Sequence, residues 1–162
     1  MDGKLRSMTS IYLLSGDQVL LLYRIGSRIV DQLYTGSAGG HFEPDEVSDA
    51  RACVLREMNE ELGLTEADVE HLALRYVTLR LKNGEIRQNY YFFAELKDPS
   101  VELKSTEGVL RWFDWDSALS CEMPYTAKYV CEHFRREGRY TDKLYGGSAT
   151  EAGVVFTVLD EF

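Results

Sequence analysis

The sequence predicts a single α/β domain, and three observations support that fold class. Its 162 residues suit one domain of ordinary size. It is 44% hydrophobic and 28% charged, so it can bury a core. Strand-like segments come first and between two helix-like segments, and no repeat or linker interrupts them. We take residues 8–162 as the domain, with residues 1–7 as a flexible leader and residues 140–162 as a C-terminal extension packed on the domain or at a dimer interface.

Charge and cysteine content exclude several classes of protein. The net charge of -9 disfavours binding to duplex nucleic acid, because such binders are usually basic. Cys53, Cys121 and Cys131 match no zinc spacing and are expected to be reduced thiols. Apolar runs stay below the roughly 18 residues of a membrane span, and the N-terminus lacks a signal core. We therefore expect a cytoplasmic protein that does not contact membranes.

The first elements are a hairpin and a long loop. Two β-prone runs flank "SGDQ", a turn-rich tetrapeptide. Residues 19–23 are almost continuously apolar, which predicts a strand buried on both faces. The segment "YTGSAGGHFEPDE" is rich in Gly, Ser and Asp and is predicted to be a loop, with Pro44 barring a helix through it.

The later elements alternate between helix and strand. "SDARACVLREMNEELGL" predicts a helix, with Ser48 or Asp49 as N-cap and Gly63 as the C-terminal residue. Two strands flank "KNGE", a turn containing Asn-Gly. "VLRWFDWDSAL" predicts a strand running into a short helix, and "PYTAKYVCEHFRREG" predicts a second long helix. "YGGSATE" is predicted to be a loop before a last strand.

One helical face carries three glutamates. At about 100° per residue, Glu57, Glu60 and Glu61 share a face opposite an apolar stripe. Like charges at this spacing cost a few tenths of a kcal/mol per pair. The face is either simply solvated or the place of a positive ion.

The preceding segment "GGHFEPDE" favours the second interpretation. Adjacent glycines free the backbone to bring carbonyl oxygens close to a ligand. Glutamates and carbonyls are hard oxygen donors that suit Mg²⁺ or Mn²⁺, and Mg²⁺ usually keeps waters and substrate phosphates as its other ligands. The two segments together predict a site for a metal–diphosphate complex.

These residues resemble the Nudix box, G-x5-E-x7-R-E-U-x-E-E-x-G-U, where U is aliphatic. The second half matches at every position from Arg56 to Leu64, and the first half matches at Gly40 and Glu46. Nine residues separate Glu46 from Arg56, where the pattern has seven, which we interpret as a longer loop or an added half-turn. The likeness covers most of residues 8–137 and implies a Nudix α/β/α sandwich with a mixed sheet.

The resemblance also implies a set of catalytic residues. Glu57, Glu60 and Glu61 would bind Mg²⁺ or Mn²⁺ with a carbonyl from Gly39 or Gly40, and Arg56 would orient a glutamate. An acid from a later loop joins the metals or acts as base in some similar enzymes, and the two candidates here are Glu107 and then Glu102.

Substrate contacts are expected from the loop and from separate strands. Besides Gly39 and Gly40, Arg24 is a candidate for phosphate, with Arg28 as its competitor. Base recognition is expected from Tyr90 or Tyr91 and from "MPYT", which includes Tyr125.

The leading hypothesis is a metal-dependent diphosphohydrolase acting on a nucleoside triphosphate, with oxidised purines such as 8-oxo-dGTP as a plausible substrate. The alternatives are a pyrophosphatase acting on ADP-ribose, a dinucleoside polyphosphate or another nucleotide conjugate, a nucleotide sensor without catalysis, and an acidic interaction module. A homodimer is compatible with any of them.

Overall fold

The structure, a computed structural model, describes residues 3–26 and 32–162. The strands are β1 (Lys4–Ser15), β2 (Gln18–Arg24), β3 (Tyr34–Thr35), β4 (Ala38–His41), β5 (Val69–Lys82), β6 (Glu85–Leu96), β7 (Gly108–Asp114), β8 (Tyr145–Thr150) and β9 (Gly153–Val158). The helices are α1 (Ala50–Leu62), α2 (Trp115–Ser120) and α3 (Tyr125–Arg136). Within the described ranges, every helix is too short or too polar to cross a bilayer.

The strands form one mixed sheet centred on β1. β1 pairs in parallel with β6 over most of its length and antiparallel with both β2 and β4. The strand order is β3-β2-β1-β6-β5-β8-β9, and β7 pairs antiparallel with β2. The parallel pairing of β1 with β6 brings residues from the N-terminal strand and from the middle of the chain onto one surface.

Helices cover both faces of this sheet. Alternate residues of β1 point to opposite sides, so Ile11 joins the apolar cluster under α1 and Tyr12 joins the cluster under α2 and α3. In β2, residues 19–22 are all buried, as expected for a strand covered on both faces. The predicted α/β/α sandwich is confirmed.

Local signals in the sequence set the ends of α1 and the main hairpin. The Asp49 side chain accepts a hydrogen bond from the Ala52 N–H at 2.9 Å, and Gly63 ends the helix with φ +69°. Asn83 and Gly84 both have positive φ, as a type I′ turn requires. These predictions are confirmed.

Three expectations about irregular segments are wrong. The predicted leader, residues 1–7, is wrong for residues 4–7, which belong to β1 because the long strand β6 provides backbone partners for them at residues 85–88. Residues 1–2 of that leader lie outside the described residues. The loop before α1 contains β3, β4 and a 3-10 turn, Pro44–Glu46. "YGGSATE" forms β8, where Gly147 leaves room for the side chains of Thr78 and Phe156.

The C-terminal extension is part of the same sheet. β8 pairs in parallel with β5, and β9 forms the outer strand. Arg75 is 8% exposed and donates to the carbonyl oxygens of Gly138 and Thr141, both at 2.6 Å, and of Lys143 at 3.0 Å. A buried guanidinium therefore holds the extension to β5.

Candidate active site

A cavity of about 560 Å³ lies where β1, β2, β4 and β6 meet α1 and the start of α3. It includes six of the residues that the sequence analysis assigns to catalysis and metal binding or to phosphate: Arg24, Gly39, Gly40, Arg56, Glu57 and Glu61. Glu107 also lines it. Side chains from distant parts of the chain therefore converge on one space.

The three glutamates of α1 do not take equivalent positions. Glu57 and Glu61 line the cavity, one helical turn apart. The Glu60 side chain is 56% exposed, and its Oε2 accepts from Arg56 Nη1 at 3.1 Å. The same Nη1 donates to Glu57 Oε1 at 2.8 Å. Arg56 thus connects the inner carboxylate to the outer one.

Glu46 is the main partner of Arg56. Its Oε1 accepts from Arg56 Nε at 2.6 Å and its Oε2 from Nη2 at 2.9 Å. The Arg56 guanidinium lowers the pKa of the Glu46 carboxyl to about 2, although Glu46 is only 6% exposed. Residues 47–49 connect the 3-10 turn to α1, so the longer spacing in the box still leaves Glu46 in contact with Arg56.

Two glycines let β4 pack closely against β1 and α1. Gly39 has φ +156°, and a Cβ there would lie 2.8 Å from Ser10 Cα on β1. Its N–H donates to Glu61 Oε2 at 3.3 Å. A Cβ on Gly40 would overlap the Glu57 carboxylate. The backbone of β4 is therefore in direct contact with both inner glutamates.

Negative charge accumulates at the inner end of the cavity. Burial raises the pKa of Glu61 to about 8, with further contributions from Glu107 and Glu57. The opposing cation is Arg24, whose Nη2 lies 2.8 Å from Glu107 Oε2. Glu102 is 81% exposed, pairs with Lys104 and does not line the cavity, so the structure favours Glu107 as the acid from the later loop.

This donor set fits a hard divalent cation. Glu57 and Glu61 supply carboxylate oxygens beside the backbone of Gly39 and Gly40, and a cation there would offset their mutual repulsion. Glu60 lies at the outer edge of this arrangement. A separate exposed group, Glu70 with His71 and Glu95, lies outside the cavity and is not part of this site.

The aromatic candidates lie on opposite faces of the sheet. Tyr91 and Tyr125 line the cavity, and the Tyr125 hydroxyl donates to Thr150 O at 2.6 Å. Tyr90 points to the α1 side, where its ring centroid lies 5.2 Å from that of Phe42. We therefore replace Tyr90 by Tyr91 as the candidate for substrate contact. Arg28 lies outside the described residues.

Sequence reasoning missed a group of polar residues on the central strands that line the cavity. Arg6, Arg80, Arg87 and Asn89 come from three strands and line it. No local motif marks them, because their proximity depends on the parallel register of β1 with β6. The alternation of Arg6 with Met8 and of Arg87 with Asn89 was the available signal that each pair shares a face.

Comparisons with known proteins agree with this geometry. The family model described as NUDIX domain matches residues 4–134. The structure resembles the MutT protein of Bacillus halodurans, with 24% identity over 94% of this chain and 97% of that one and a TM-score of 0.64. It also resembles the ORF135 protein of E. coli, with 26% identity over 86% and 96% of the two chains and a TM-score of 0.64.

A third similar structure is a C. elegans Ap4A hydrolase binary complex. Its identity is 19% over 82% of this chain and 96% of that chain, with a TM-score of 0.63. A comparison with curated proteins finds no match.

Proposed function

Because this chain belongs to the Nudix family, we propose that it is a pyrophosphohydrolase and that it hydrolyses a nucleoside triphosphate in the presence of Mg²⁺ or Mn²⁺. An oxidised purine nucleotide such as 8-oxo-dGTP is the candidate substrate. The observation that carries the proposal is the pair Glu57 and Glu61, held against Gly39 and Gly40 inside a cavity that also contains Arg24.

The proposed metal ligands are Glu57 and Glu61 with a carbonyl of Gly39 or Gly40, and Glu60 is the outer candidate. A divalent cation bound there would supply electrostatic stabilisation of charge developing on phosphate oxygens. Arg56 keeps the Glu57 carboxylate oriented through its 2.8 Å hydrogen bond. Pre-oriented carboxylates lower the cost of assembling the site around substrate.

Arg24 and Glu107 are assigned to the reacting phosphate and its water. The Arg24 guanidinium lines the cavity and can donate to a phosphate oxygen in place of Glu107. The Glu107 carboxylate, 2.8 Å from that guanidinium, is our candidate to accept a proton from the attacking water.

The nucleoside is assigned to the side of the cavity lined by Tyr91 and Tyr125. A volume of about 560 Å³ lies within the range of small-molecule sites. Aromatic rings beside polar groups suit a planar base, which offers a face for stacking and an edge for hydrogen bonding. Asn89, two residues before Tyr91 and on the same side of β6 as Arg87, can donate and accept hydrogen bonds.

The test is hydrolysis of a nucleotide panel with Mg²⁺ and identification of the products. We expect a nucleoside triphosphate to yield pyrophosphate and the monophosphate. Glu61→Gln should lose this activity, whereas Glu70→Gln, a carboxylate outside the cavity, should retain it. Turnover by Glu61→Gln at the wild-type rate would contradict the mechanism.

A dinucleoside polyphosphate is the second candidate substrate. The fold likeness to a C. elegans protein described as an Ap4A hydrolase favours its inclusion. Cleavage of such a substrate releases two nucleotides and no inorganic pyrophosphate, so the products separate the two hypotheses. Turnover of ADP-ribose alone would favour the conjugate alternative, and metal binding without any turnover would favour a sensor.

A further inference from the structure

Three arginines stand side by side across three neighbouring strands. In the sheet register, Arg6 of β1 pairs with Arg87 of β6, and Arg87 pairs with Arg80 of β5. All three line the cavity. With strands about 4.8 Å apart, this arginine row spans roughly 10 Å across the sheet.

Such a row is unfavourable without an anion. Like charges directly opposite each other on adjacent strands destabilise a sheet. Arg87 Nε has Glu85 Oε2 as a partner at 2.9 Å. Across the described ranges, Arg6 and Arg80 form no ion pair with a carboxylate. In a chain of net charge -9, this surface is locally positive.

The neighbouring sheet positions add to the positive charge. Lys4 and Lys82 are the register partners of Glu85, one step along the same face. Five basic residues and one acidic residue, Glu85, therefore occupy adjacent register positions on this face. The arginines are half-buried, so their charges are screened less than those of fully exposed side chains.

The arginine row begins next to the proposed catalytic residues. Arg6 Nη2 lies 2.9 Å from His41 Nε2, and the His41 carbonyl accepts from Arg56 Nη2 at 3.0 Å. At the other end, the Arg80 guanidinium lies 4.7 Å from the centroid of the Tyr125 ring. The row thus extends from the glutamate end of the cavity to its aromatic side.

We propose that Arg6, Arg87 and Arg80 bind a phosphate of the substrate outside the two phosphates of the scissile bond. The substrate class is then a nucleotide with three or more linked phosphates. This assignment rests on the proposed function, and guanidinium groups are well suited to such phosphates because they donate two hydrogen bonds in a planar fork.

The first test measures binding without catalysis. Inorganic tripolyphosphate is titrated calorimetrically into metal-free wild-type protein, Arg87→Gln, Arg87→Lys and Arg111→Gln. Arg111 is the matched control because it is exposed on β7 and does not line the cavity. We expect Arg87→Gln to weaken binding about tenfold or more, Arg87→Lys to recover part of the loss, and Arg111→Gln to bind within about twofold of wild type.

The second test measures substrate preference. The ratio of kcat/KM for a nucleoside triphosphate over ADP-ribose, which has two phosphates, should fall about tenfold in Arg87→Gln and stay unchanged in Arg111→Gln. Arg80→Gln should act in the same direction, and it provides an independent test if Arg87→Gln has a lowered Tm.

The outcomes separate this inference from the proposed function. Wild-type affinity for tripolyphosphate in both Arg87→Gln and Arg80→Gln would overturn the proposal that the arginine row binds phosphate. An unchanged ratio of kcat/KM for the nucleoside triphosphate over ADP-ribose would also overturn it. A wild-type preference for ADP-ribose would overturn the substrate class. Arginine-dependent binding of tripolyphosphate without turnover of any nucleotide would retain the anion site and overturn the proposed function.

Discussion

Arg56 and Glu46 form a two-point ion pair, with Nε at 2.6 Å from Oε1 and Nη2 at 2.9 Å from Oε2. Both residues match positions of the Nudix box, although the spacing between them is two residues longer than in the pattern. Because Glu46 fixes one edge of the guanidinium, Nη1 remains directed at Glu57. The pair therefore acts as a support for the inner metal-ligand candidate.

We predict that Arg56→Lys weakens this support while leaving a positive charge in place. An ammonium group cannot make the planar two-point contact with Glu46 and also reach Glu57. We expect metal affinity or kcat to fall about 10- to 100-fold, as is usual for residues that orient ligands. Metal titration and steady-state kinetics provide the measurement. Arg51→Lys, on the exposed side of α1, is the control, and equal activity of the two variants would argue against the supporting role.

The two glycines of β4 should respond differently to alanine. In Gly40→Ala the new methyl meets the end of the Glu57 side chain, which can move, whereas in Gly39→Ala it meets the backbone of β1. We expect Gly40→Ala to lose activity with little change in unfolding free energy. Gly39→Ala should lose both, with destabilisation of roughly 1–3 kcal/mol from strain and overpacking. Urea unfolding and hydrolysis assays separate the two outcomes.

Because Glu61 is buried, we predict that the stability of the metal-free protein depends on pH. Its pKa is raised to about 8, mainly by burial. The stabilising contribution of its protonated form is complete below the ordinary carboxyl pKa of about 4.5 and is lost as the pH rises through 8. The Tm of the metal-free wild-type protein should therefore fall as the pH rises from about 4.5 through 8.

Glu61→Gln should remove that component of the pH dependence and raise the metal-free Tm at pH 8. It should also remove much of the Tm increase that Mg²⁺ or Mn²⁺ gives to wild type. Differential scanning calorimetry with and without metal measures both effects. Glu70→Gln is the control, and a pH profile of Glu61→Gln that matches wild type would show that Glu61 does not titrate in this way.

We predict that replacing Arg75 lowers the stability of the fold without involving the cavity. Its guanidinium donates to three carbonyl oxygens between Gly138 and Lys143. Replacing it by methionine removes this donor from the carbonyls of Thr141 and Lys143, whereas Gly138 O still accepts from the Thr141 N–H at 3.2 Å. We expect destabilisation of about 2–4 kcal/mol, mainly from the loss of the buried guanidinium contacts. Urea unfolding measures the loss, and limited proteolysis should show earlier cleavage after residue 137. An unchanged midpoint would mean that water or a neighbouring group replaces the guanidinium.

The parts of the fold that the sequence predicted well are those with local signals. The ends of α1 follow from Asp49 and Gly63, and the β5–β6 turn follows from Asn-Gly. β8 was not predicted, because its glycines are typical of a loop. The reason for Gly147 is clear only from the structure, where the side chains of Thr78 and Phe156 pack against it. A strand defined by distant neighbours leaves little trace in its own residues.

In the candidate site, too, the residues with local sequence signals were predicted and those that depend on distant neighbours were not. Glu57 and Glu61 lie within one helix and Gly40 lies shortly before it, so a motif could place them together. The choice between Tyr90 and Tyr91 depends on which face of the sheet holds the cavity, and adjacent residues of a strand point to opposite faces. Their roles in binding and catalysis stay predictions.

The parallel pairing of β8 with β5 has a consequence for shortened forms of the chain. The family match ends at residue 134, before both C-terminal strands. Truncation there would strip the hydrogen-bonded neighbour from β5, whose Leu79 and Leu81 are already exposed. An open strand edge bearing such side chains invites intermolecular pairing. The smallest well-behaved unit should therefore include β9, and a form ending at residue 134 should aggregate.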